Sequence, residues 1–172
     1  PFELNPSLPK NGMDRADYLR IKFGSTSTAK KIYRQILINA EADELELNLE
    51  AIKKVPNTRD AHKLILSANS PKLQNLIVSK LFEAYFIFGV DIGEENNLMD
   101  IAEKSGLQRS EAENILIDPE LNSRVEALEE QVSDLGIMGV PAFLYNGHYL
   151  FSGAQSTETI RLSIIKAHKR HL

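Results

Sequence analysis

Through the first three quarters of the chain, apolar residues recur every three or four positions, the period of amphipathic helices. Pro1, Pro6 and Pro9 make an extended or turning lead-in, because each fixes φ and lacks an amide donor. Asp14 then suits the N-cap of a helix carrying Ala16, Leu19 and Phe23, and Gly24 supplies the left-handed residue after it. Thr26 or Ser27 caps a second helix, whose Ile32, Tyr33, Ile36, Leu37 and Ala40 form one apolar stripe. Leu45, Leu47 and Leu49 alternate with Glu46 and Asn48, so the period falls to 2 and predicts a short extended stretch. Asn57 caps the next helix, with Asp60 in its first turn, and Pro71 ends it near Ser70. Pro71 also opens the most apolar helix, with Leu73, Leu76, Ile77, Leu81, Ala84, Tyr85 and Phe88 in register up to Gly89. That helix is the predicted centre of the core. Two shorter helices follow, Leu98 to Lys104 and Ser110 to Ile117. A long one then starts at Pro119, carries Leu121, Val125, Leu128, Val132 and Leu135, and closes at Gly136.

Only then does a clear β pattern emerge. The segments Pro141 to Tyr145 and His148 to Phe151 flank Asn146-Gly147, the dipeptide that best accommodates a type I′ turn, and predict a hairpin. Both arms are apolar at successive residues, as in strands buried on both faces. A two-stranded hairpin is marginal alone, so these arms call for sheet neighbours that the chain barely supplies, expected upstream of Pro1. Were Pro1 the true start, the strand from Ala142 would present an unpaired edge and the chain would form a homo-oligomer through it. Ser156 caps a last helix with Ile160, Ile164 and Ile165 facing inward.

Composition narrows the chemistry. The 172 residues are 42% hydrophobic and 26% charged, which describes one globular domain on the usual length prior. There is no cysteine, hence no disulfide, thiolate metal site or cysteine nucleophile within these residues. The net charge of −4 gives no global attraction to nucleic acid or anionic membrane. The longest apolar run, Ala84 to Val90, is too short to cross a bilayer, which takes roughly 20 residues. Pro1-Phe2-Glu3-Leu4 has neither an initiator Met nor signal-peptide character, and reads as an internal point of a longer protein. The acidic stretches, Glu41 to Glu46 and Glu129-Glu130, have no His or Cys at ligand spacing, so no metal is expected. No serine sits in a Gly-x-Ser-x-Gly elbow. His62 shares a helix with Ile65 and Leu66 and reads as a partly buried structural histidine. Asn57 is explained by capping. His148 reads as an exposed strand residue, and His168 and His171 as part of a solvated basic helix end with Lys166, Lys169 and Arg170.

The string Gly136-Ile137-Met138-Gly139-Val140-Pro141-Ala142-Phe143-Leu144-Tyr145-Asn146-Gly147, continuing to Phe151-Ser152-Gly153-Ala154-Gln155, resembles the C-terminal half of DsbA-like thioredoxin-fold proteins, most closely the FrnE type. Pro1-Phe2 through Leu4-Asn5-Pro6, Pro56-Asn57-Thr58 through Ala61-His62, and Ala84-Tyr85-Phe86 through Gly93 are similar to the same branch, so the likeness spans nearly the whole chain. It implies an α/β thioredoxin-like fold, incomplete at the N-terminus, with a large inserted all-helical domain. On that reading, residues 1–13 are the remnant of the second strand and its exit, 14–135 mainly the insertion, and 136–172 the returning thioredoxin half. The family's C-x-x-C lies at the start of its first helix, which would precede Pro1. The resemblance also implies a cis peptide before Pro141, whose missing N–H leaves the Val140 backbone available to an extended substrate.

The function implied is thiol–disulfide exchange, in which a thiolate of lowered pKa attacks a disulfide sulfur. This chain would hold the substrate side of that reaction. Val140 and Pro141 would shape the edge and Gly153 and Gln155 the site mouth, with Asn57 and His62 as further substrate contacts and no catalytic residue present. The expected partners are thiol- or disulfide-containing proteins or peptides, in the cytoplasm. Two alternatives stay open: a redox-inactive peptide-binding or chaperone-like module, and a glutathione-dependent isomerase. Glutathione is disfavoured, because Gly153-Ala154-Gln155 offers no carboxylate for its γ-glutamyl amine, and no other cofactor is expected.

Overall fold

A computed structural model describes residues 1–170; the expectation for His171 lies outside them. The elements run β1 (Met13–Asp14), α1 (Arg15–Phe23), α2 (Thr26–Ala42), β2 (Lys54–Val55), α3 (Arg59–Ser67) and α4 (Pro71–Phe82). A π-helical turn (Glu83–Ile87) extends α4, and α5 (Glu95–Lys104), α6 (Arg109–Ile117), α7 (Pro119–Asp134), β3 (Ala142–Tyr145), β4 (His148–Ser152) and α8 (Thr157–Arg170) complete the order. Two compact units arise, one comprising Asn5–Val125 and the other Pro1–Leu4 with the chain from Glu126 onward.

Local chemistry starts these helices. The Asp14 carboxylate accepts from the amides of Ala16 and Asp17 at 2.8 and 3.1 Å, and Gly24 sits at φ 74° behind α1. Ser70 accepts from the Leu73 amide and Pro71 takes the first helical position of α4. Asp118 accepts from the amides of Glu120 and Leu121 ahead of α7, and the Ser156 hydroxyl accepts from the Thr159 amide. The second helix is capped by Ser25, one residue earlier than the sequence pattern indicates, because its hydroxyl accepts from Thr28 N.

In the larger unit, α3, α4, α5 and α6 enclose one core. Leu64, Ile77 and Leu98 are fully buried at its centre, with Ala61, Leu81, Ile101, Ala102, Ala112 and Leu116 around them. Each such large aliphatic side chain contributes roughly 1.5–3 kcal/mol by leaving water. The buried Lys63 is held by Asp60 Oδ1 at 2.8 Å and donates to the Leu116 carbonyl at 2.8 Å, which ties α3 to the end of α6.

Several expectations fail. The alternating segment from Leu45 to Leu49, expected as a short extended stretch, is irregular, joins no sheet among the described residues and turns at Leu49. Glu44 takes φ 56°, the Leu45 amide returns to the Ala40 carbonyl, and a turn closes from Asn48 O to Ala51 N. The nearby ladder is instead a two-residue pairing, Met13 with Val55 and Asp14 with Lys54. Phe2 to Pro6, expected as a strand end, is irregular and leads into a turn closed from Asn5 O to Leu8 N. The most apolar helix does not run on as α-helix through Phe88. The π turn lets Phe88 N donate to Glu83 O at 3.3 Å, and the Phe86 carbonyl accepts from Asn48 N at 2.8 Å. Ile32, Ile36 and Leu37 of the α2 stripe are exposed, as are Leu76, Phe88, Ile164 and Ile165. Of the described α2 side chains, Ala29 and Ala40 are the buried ones.

Candidate functional site

The smaller unit carries the predicted substrate edge. α7 ends at Asp134; two residues on, Gly136 at φ 71° returns its amide to the Ser133 carbonyl, and Ile137 is buried directly after it. The chain then surfaces. Met138 is 92% exposed and Val140 52% exposed. Among the described residues, no backbone hydrogen bond engages Met138, Gly139 or Val140. The Val140–Pro141 peptide is cis, as the resemblance implies. Pro141 stands one residue before β3, where its missing N–H costs no ladder bond. Its carbonyl accepts from the Gly153 amide at 2.8 Å, so Pro141 and Gly153 are brought together. Gly153 takes φ 82° there, a conformation open to glycine without Cβ strain. Gln155 folds its amide back toward the Ser152 carbonyl at 3.4 Å.

Beneath this loop, β3 and β4 pair antiparallel, Ala142 with Ser152 and Tyr145 with His148, and Leu150 bulges where the register shifts. Asn146 and Gly147 both have positive φ, 49° and 78°, which a type I′ turn requires. Phe143 stacks on Phe151 with ring centroids 4.7 Å apart. The Tyr145 hydroxyl lies 2.7 Å from His168 Nδ1, pinning the hairpin to α8. The arms are not buried on both faces, for Phe143, Leu144 and Tyr149 are each more than a third exposed. The reason is that β3 and β4 form a two-stranded sheet among the described residues, so nothing in that sheet covers them.

Asn57 and His62 lie in the larger unit. Asn57 accepts from the Arg59 amide at 3.0 Å through Oδ1 and donates to the Leu8 carbonyl at 3.1 Å through Nδ2. The N-cap position of α3 is thus Thr58, whose side chain makes no capping bond, and Asn57, expected as the cap, stands one residue earlier, where it takes up the first free amide and anchors the lead-in. His62 is half-buried one turn into α3, its amide bonded to the Thr58 carbonyl. Burial above all pushes its imidazole down to about 4. The Asn57 side chain is therefore committed to structure. No cluster of His, Cys, Asp and Glu suited to a metal occurs among the described residues.

A proline-headed antiparallel hairpin followed by a helix, in a chain whose larger unit is mostly helical, makes a mixed α/β arrangement. The chain belongs to the DSBA-like thioredoxin domain family, whose model matches residues 1–164. With no cysteine anywhere, it contains no C-x-x-C site. No curated protein matches it. Among solved structures it is similar to a probable DsbA oxidoreductase from Streptomyces coelicolor, at 24% identity and TM-score 0.82, covering 98% of this chain and 73% of that one. It is also similar to a 2-hydroxychromene-2-carboxylate isomerase, at 16% identity and TM-score 0.62, covering 94% of this chain and 78% of that one.

Proposed function

We propose that this chain is the substrate-holding part of a thiol–disulfide oxidoreductase of FrnE type, with its dithiol supplied by sequence outside these 172 residues. The observation that carries the reading is the backbone from Met138 to Val140, unengaged among the described residues, flanked by the exposed Met138 and Val140 and leading straight into the hairpin. An extended peptide can add to such a segment through main-chain hydrogen bonds while its side chains meet the exposed apolar faces of Val140 and Phe143. Peptides bearing a disulfide or a thiol are the partners. Family membership over residues 1–164 and the likeness in fold to a probable DsbA oxidoreductase that is longer than this chain support the assignment.

The protein as encoded in its gene is expected to reduce insulin disulfides in the presence of a thiol reductant. Val140→Asp should raise KM with little change in kcat, because it adds a charge at the docking edge and touches no reacting atom. Absence of turnover overturns the oxidoreductase reading. The complete lack of cysteine here supports a second reading, a redox-inactive peptide-binding module. Peptide binding that persists without turnover, and is weakened by Val140→Asp, would establish it.

A further inference from the structure

Charges on α2 run against its dipole. The helix has no acidic residue in its first turn and no basic residue in its last, whereas acidic N-termini and basic C-termini are the stabilising arrangement. Its cations, Lys30, Lys31 and Arg34, sit in the N-terminal half, and Glu41, Asp43 and Glu44 cluster at the C-terminal end. Lys30 and Arg34 also repel each other at i,i+4 spacing. Helix stability therefore does not explain the pattern. Nor does pairing within the chain: among the described residues, Lys30, Arg34, Glu41 and Glu44 have no ion-pair partner.

Steps of four, three and four residues place Lys30, Arg34, Leu37 and Glu41 along one flank of α2. Two grooves meet at that flank. One, of about 700 Å³, is lined by Arg15, Leu19, Lys30, Tyr33, Arg34 and Leu37. The other, of about 730 Å³, is lined by Leu37, Ala40, Glu41, Glu44, Leu47 and Phe88. Leu37, 37% exposed, belongs to both. The result is an apolar trough, basic at one end and acidic at the other, with Leu37 at its middle.

We propose that this flank is the face on which two copies of the chain associate, their α2 helices antiparallel about a two-fold axis at Leu37. Such an interface is self-complementary. Turning the helix about Leu37 sets Arg34 beside Glu41 of the other copy and points Lys30 toward the acidic turn of Asp43 and Glu44 that follows the helix, each contact occurring twice. The Leu37 side chains meet at the centre, and each α2 dipole opposes its neighbour's. A foreign partner would need the same bipolar charge order reversed, which a second copy already has.

Sedimentation velocity on the intact chain tests this. The wild type should be dimeric in the micromolar range at low ionic strength and dissociate in molar salt, where surface charges are screened. Arg34→Glu and Glu41→Arg should each weaken dimerisation roughly tenfold or more, since two attractive contacts become repulsive. Mixing the two variants should restore the dimer. In the mixed pair, the carboxylate introduced into one copy faces the guanidinium introduced into the other, while the unaltered Arg34 and Glu41 meet as in the wild type. That recovery also shows that both variants are folded. A wild type that stays monomeric, single variants that dimerise undiminished, or a mixture that stays monomeric each overturns the proposal. Association lost instead through changes at the β3 edge overturns it too, and places the contact on the hairpin.

Discussion

At the scale of single residues, His62 shows how burial turns chemistry into stability. Its imidazole ordinarily titrates near 6.5, and in the folded protein it is held down at about 4, above all by burial. Between those two values the unfolded chain takes up a proton that the folded chain refuses, so stability falls as the pH falls. The contribution is complete above about pH 6.5 and gone by about pH 4, and is worth up to about 3 kcal/mol. Urea unfolding at pH 7 and pH 4 should show this loss in the wild type. His62→Gln, which cannot titrate, should lack it, and parallel pH profiles for the two proteins would refute the assignment. Asn57 belongs to the same corner of the fold. Its side chain is committed to the Arg59 amide and the Leu8 carbonyl, so Asn57→Ala should loosen the start of α3 by about 1 kcal/mol, read as a lower thermal midpoint.

At the scale of elements, the parts legible in the sequence are those decided by a few adjacent residues. Asn146-Gly147 specifies the hairpin, Asp14, Ser70-Pro71 and Asp118-Pro119 specify helix starts, and Gly24, Gly106 and Gly136 specify helix ends, because each supplies a local hydrogen bond or a φ that its neighbours cannot. Elements decided by distant partners are not legible. The alternation from Leu45 to Leu49 has the period of an extended segment, yet among the described residues no ladder partner meets it, and its Asn48 amide is claimed by Phe86 O in the π turn. That π turn has no sequence signature either. The candidate site divides in the same way: Pro141 at the head of β3 is readable from the residues, the cis peptide only through family resemblance, and the unengaged backbone from Met138 to Val140 only from the folded structure. Where the π turn ends, Gly89 has φ 67° and a Cβ there would stand 2.3 Å from the Ala51 carbonyl oxygen, a backbone atom that cannot step aside. Gly89→Ala should therefore cost more than about 2 kcal/mol. A midpoint unchanged in thermal unfolding would mean that the loop from Leu45 to Lys53 does not pack there.

At the scale of the whole molecule, burial is distributed unevenly between the units. The ten-residue core cluster, Ala61 to Leu116, lies wholly within α3 to α6 and the π turn of the larger unit. In the smaller unit, the buried apolar side chains among the described residues are Ile137 and Ala167, and the hairpin faces stay open. Opening free energy follows local burial, since segments with few buried contacts expose their amides without dismantling the rest. Amides of Leu64, Ile77, Leu98 and Ala112 should thus exchange with solvent only through global unfolding, with protection equal to the full unfolding free energy. Amides of the β3–β4 ladder should exchange by local opening, at least about a hundredfold faster, which corresponds to about 2.7 kcal/mol less protection. Native-state hydrogen exchange followed by mass spectrometry resolves the two sets of peptides directly. Addition of a peptide that pairs with the Met138–Val140 edge should slow the hairpin amides selectively, leaving the α3–α6 amides unchanged. Equal protection of both sets in the free chain would mean that the hairpin is stabilised by more than its own few buried side chains, and would remove the reason for expecting it to welcome an added strand.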